Sequence, residues 1–66
     1  MDSKTKIEAL EDAYCALCEC VCNYRAKADD CRKSGYVKAA ADWENMALGA
    51  KNSSQIIVDM MREVRA

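Results

Sequence analysis

From Ile7 onward the apolar positions recur in steps of three and four: Ile7, Leu10, Tyr14, Leu17, Val21, Tyr24, Ala28 and Cys31. After one interruption the pattern resumes at Tyr36 and runs through Ala40, Trp43, Ala47, Ala50, Ser54, Ile57, Met61 and Val64. Alternating three and four steps are the a/d signature of a helix with one continuous seam. They predict two helices of similar length, about residues 4–33 and 36–65. Each would be roughly 40 Å long at ~1.5 Å per residue. Expected core positions are Ile7, Leu10, Tyr14, Leu17, Val21, Tyr24, Trp43, Ala47, Ile57, Met61 and Val64.

The interruption carries its own signals. Arg32 and Lys33 suit the negative end of a helix dipole. Ser34-Gly35 follows, and glycine is the usual residue just past a helix end. Thr5-x-x-Glu8 matches a capping box, with Ser3 as the other candidate cap. Gly49 lies inside the second helix, which is expected to continue through it. A turn of two residues, 34–35, makes the helices antiparallel neighbours. Trp43 should then lie near Ala26 and Ala28, and Met61 near Ile7. The fold class is all-α, an antiparallel helical hairpin of coiled-coil character, as one domain over residues 1–66.

The run Gly35-Tyr36-Val37-Lys38-Ala39-Ala40-Ala41-Asp42-Trp43-Glu44 resembles the turn and second helix of a tetratricopeptide unit. The first helix lacks the repeat's pattern and no second copy follows. The resemblance therefore implies shared helix-turn-helix physics, not a repeat array.

Composition changes this picture by limiting the core. The 66 residues include 11 Ala and 5 Cys, which inflate the apolar fraction without supplying bulk. Below roughly 70–80 residues one core rarely supplies more than about 3–5 kcal/mol. Yet apolar residues also flank the seams: Ala13, Cys18 and Cys20 in the first helix, Ala39, Met46 and Met60 in the second. A helix that is apolar on more than one face has more than one packing partner. A homodimeric four-helix bundle or a higher oligomer is expected.

Charge and chemistry narrow the function classes. Ten Lys/Arg oppose eleven Asp/Glu, for a net charge of −1. There is no His, the usual base and nucleophile activator near neutral pH. No Gly-rich phosphate loop or nucleophile elbow occurs either, so no enzyme and no cofactor are expected. The chain has no apolar run long enough to cross a bilayer and no leader-like segment at its start. A cytoplasmic protein with reduced thiols is the expectation. Cys15, Cys18 and Cys22 share a helical face. They are expected to pack as small hydrophobes against small residues opposite. The alternative is a thiolate metal site, or a slot lined by Cys, Ala, Ser and Asn52 that takes a small ligand.

A modest basic end, Arg25, Lys27, Arg32, Lys33 and Lys38 with Tyr24 and Tyr36, is interrupted by Asp29 and Asp30. Nucleic acid is not an expected partner. What remains is a small interaction protein that binds itself and another protein. It would act sterically as an inhibitor, adaptor or assembly factor, a kind that many phages and mobile elements carry. Partner-binding candidates are Arg25, Arg32, Lys33, Tyr36, Met46 and Met60.

Overall fold

A computed structural model describes residues 2–66. It consists of two α-helices packed against each other, α1 (Ser3–Lys33) and α2 (Val37–Arg65). The cap of α1 is not Ser3 or Thr5. Asp2 caps it, its carboxylate accepting the Thr5 N–H at 2.8 Å. A charged acceptor at the positive helix end outcompetes a hydroxyl one turn further in.

The hinge is a Schellman closure. The Tyr36 N–H donates to the Cys31 carbonyl at 2.8 Å, and the Gly35 N–H to the Arg32 carbonyl at 3.1 Å. Gly35 sits at φ +84°, where a side chain would be strained. Helix α2 then starts at Val37, without a side-chain cap. Tyr36, on the expected seam, lies in the hinge instead and is exposed. Gly49 does not break α2, which runs unbroken for 29 residues. The helices are 31 and 29 residues long, so the pair is nearly twice a 34-residue tetratricopeptide unit.

The register is anchored at both ends. Trp43 lies against Tyr24, with ring centroids 5.6 Å apart, and the Lys27 ammonium sits 5.3 Å from the Trp43 ring. At the open end Arg65 pairs with Glu11 at 3.5 Å. Trp43 is thus flanked by residues 24 and 27, close to its expected neighbours 26 and 28.

Most of the expected seam faces inward, but little of it is enclosed. Among the described residues only Ala28, Ala40 and Ala47 are buried, all in the half nearest the hinge. Ile7, Leu10, Leu17, Val21, Tyr24, Trp43, Ile57, Met61 and Val64 are half-buried. Tyr14 is exposed. Two cylinders meet along a single line, so only a methyl-sized side chain fits wholly between them. The accessible area is 4886 Å², against about 4,200 Å² for a compact monomer of this mass. The radius of gyration is 15.2 Å, against about 11 Å for a compact chain of this length. Tyr36, Val37, Met46, Leu48, Ile56 and Met60 are exposed.

Candidate interaction surfaces

With a and d positions on the seam, the e positions of both helices line one flank and the g positions line the other. The two flanks differ in chemistry. On the e flank the facing residues are Glu11 with Arg65, Cys18 with Val58, Arg25 with Lys51, and Arg32 with Glu44. The first and last are ion pairs, and Arg32 also holds Asp29 at 2.7 Å. Between them Arg25 and Lys51 are two cations facing one another. Neither enters an ion pair among the described residues.

Arg25 and Lys51 line both of two adjoining cavities of about 410 and 510 Å³. The first continues over Leu48 to Arg32 and Glu44. The second runs over Val58 and Ser54 to Tyr14, Cys18 and Cys22. The result is an open groove over apolar side chains, with Arg25 and Lys51 facing one another at its middle and the carboxylates of Asp29 and Glu44 towards the hinge. At its far wall, hydrogen bonding to Cys18, followed by that thiol's charge when ionised, holds the Tyr14 hydroxyl above its ordinary 10.0.

The g flank is uncharged over its middle. Helix α1 contributes Ala13 and Cys20, with Ala9, Ala16 and Asn23 beside them. Helix α2 contributes Met46, Ser53 and Met60, with Gly49 and Ile56 beside them. Lys6 and Lys27 bound this strip on α1, and Asp42 and Glu63 bound it on α2.

The partner candidates named from the sequence fall on three surfaces. Arg25 and Arg32 line the e-flank groove, with Arg32 already neutralised. Met46 and Met60 lie on the g flank. Lys33 and Tyr36 sit exposed at the hinge end. The basic end is not one patch either, because Lys27 is drawn over Trp43 on the other flank. Leu48 and Val58 stand out in the sequence as apolar residues beside the seam, but the facing of Lys51 and Arg25 does not. The heptad would have shown it once e positions were paired across the hinge.

The aligned thiols Cys15, Cys18 and Cys22 do not pack in the seam, whereas Cys20 and Cys31 are half-buried. Of the aligned three, Cys15 and Cys22 are exposed and only Cys18 is half-buried, because they lie on the e flank outside the seam. Opposite the seam at this level stand Ala50 and Ser54. No three His, Cys, Asp or Glu side chains converge on a metal-sized site among the described residues. No described helix is long and apolar enough to cross a membrane. Comparison with family models, curated proteins and solved structures finds no match.

Proposed function

We propose that the protein is a non-enzymatic interaction module that associates with itself and sterically covers a site on another protein. The observation that carries this reading is the three-alanine core beneath large exposed apolar residues on both flanks. A hairpin so built leaves most of its apolar surface for other molecules. The e-flank groove suits a protein partner bearing a carboxylate beside an apolar side chain. Arg25 and Lys51 would meet the charge, while Leu48 and Val58 meet the apolar group. The g flank, without charge over its middle, suits self-association.

Affinity capture from the native host tests the groove. The double variant Arg25→Glu/Lys51→Glu keeps two like charges face to face, so hairpin stability should change little. Capture of the partner should be lost. Capture that survives the reversal overturns the groove as the contact.

A second reading is a small-ligand site. The larger cavity is lined by Cys18, Cys22, Asn52 and Ser54, the Cys/Ser mid-section expected to form a slot. Changing Cys15, Cys18 and Cys22 together to Ala separates the two. A steric binder keeps its partner, whereas a thiol-lined ligand or metal site loses its ligand.

A further inference from the structure

We infer that two copies of the chain join through their g flanks about a two-fold axis parallel to the hairpin. Helix α1 of each then lies antiparallel to α2 of the other, and both hinges are at one end. This rests on the self-association proposed above and names its geometry.

A rotation about an axis parallel to the hairpin leaves every residue at its own height. The register between α1 and α2 of the second copy is therefore inherited from the register within one chain, with no free parameter. Within a chain, Lys27 is level with Trp43, and Ile7 shares a cavity wall with Val64. Between copies, the nearest charged residue on the facing strip is then Asp42 for Lys27 and Glu63 for Lys6, each offset by one to two residues, at most about 3 Å along the axis and within reach of a lysine side chain. None of these four enters an ion pair within the chain among the described residues. Twofold symmetry makes four such pairs, two at each end of the strip.

The uncharged middle matches in size at the same register. The large residues of α2 meet small ones of α1: Met60 opposite Ala9, Ile56 opposite Ala13, Met46 opposite Asn23. At the centre Ser53 faces Ala16, and Gly49 faces Cys20, where backbones can approach most closely. Gly49 costs α2 about 1 kcal/mol relative to Ala. Nothing in the hairpin itself requires it, since a Cβ built there meets no atom within 4 Å.

The inverted arrangement, with hinges at opposite ends and α1 on α1, has a free register, and with the two uncharged strips centred on one another it sets Lys6 against Lys27 and Asp42 against Glu63. Charge rejects it. The face is also large enough. The hairpin spans 49 by 14 Å, roughly 700 Å² per copy in projection, close to the ~800 Å² per partner of a standard stable interface.

Two charge-reversed chains test the geometry by sedimentation of purified protein in reducing buffer. One carries Lys6→Glu and Lys27→Glu, the other Asp42→Lys and Glu63→Lys. Wild type should sediment at twice 7.4 kDa. Each reversed chain alone should dimerise about ten-fold more weakly or worse, with the loss shrinking in high salt. An equimolar mixture should recover a heterodimer, because each set of contacts is then again opposite in sign. Gly49→Gln, harmless to an isolated hairpin, should also weaken the dimer. Helix content by circular dichroism shows whether a reversed chain has unfolded alone, and the mixture should restore that too. A wild-type monomer overturns the inference and leaves the e-flank partner test intact. A wild-type dimer indifferent to the reversals, or a mixture that fails to associate, overturns the geometry.

Discussion

At the residue scale, single side chains decide where each helix begins and ends, and they are a charged acceptor and a glycine. Asp2 is the clearest case, since its carboxylate caps α1 through the Thr5 N–H. That bond holds its pKa below the ordinary 3.8. A carboxylate depressed on folding contributes stability above its unfolded value, and the contribution is lost as pH falls through the folded value. Fraying of the first turn of α1 should therefore increase as pH drops below about 3.8. Asp2→Asn keeps an acceptor without a titratable group and should flatten that part of the profile. Amide exchange of residues 3–6 checks it, and an unchanged acid dependence in Asp2→Asn would count against the cap. The cap was misread in the sequence because three acceptors stand close together at the chain start. Ser3, Thr5 and Asp2 satisfy nearly the same local pattern, and the charge decides among them. Gly35 was legible because its role is backbone geometry, which no neighbour can supply.

At the element scale the three-four periodicity identified both helices, and nearly all of both seams faces inward, because period is a property of one helix. What it did not reveal is the difference between the two flanks, which appears only once positions are paired across the hinge. The opposition of Arg25 and Lys51 is invisible along the chain, where they stand 26 positions apart. It is obvious across the groove, where the e positions at the two ends of the flank are ion pairs. A like-charge opposition between exposed side chains is mildly unfavourable, so its removal should stabilise the hairpin. Lys51→Glu should raise stability by about 0.2–1 kcal/mol, the range of an exposed pair, and the gain should fade with salt. The same change should weaken partner capture. Thermal melts at low and high salt beside a capture assay check both halves. A variant neither stabilised nor impaired would mean that the two cations do not oppose each other. The thiols were misjudged for the same reason. Cys15, Cys18 and Cys22 share a helical face, but Cys18 and Cys22 line the groove and Cys15 is exposed, outside the seam.

At the scale of the whole molecule, one number links fold to function: 4886 Å² of accessible surface on a chain that, folded compactly, would expose about 4,200 Å². The excess of roughly 700 Å² matches the area one flank would contribute to a pair of hairpins. The proposed pairing of two hairpins would cover an area of that size. Folding should then be coupled to association, since ordering 66 residues around three buried alanines gains little. A chain that folds as it dimerises gains stability with concentration, whereas a self-sufficient hairpin does not. For a dimer of this length the melting temperature should rise by about 5 °C per tenfold increase in concentration. Melts followed by circular dichroism over a hundred-fold range check this. The same series on Gly49→Gln should start lower and, at dilutions where the dimer is lost, become flat. A wild-type curve that is flat throughout would show that alanine seams suffice for a monomer. The Met46, Ile56 and Met60 flank would then be open to other partners.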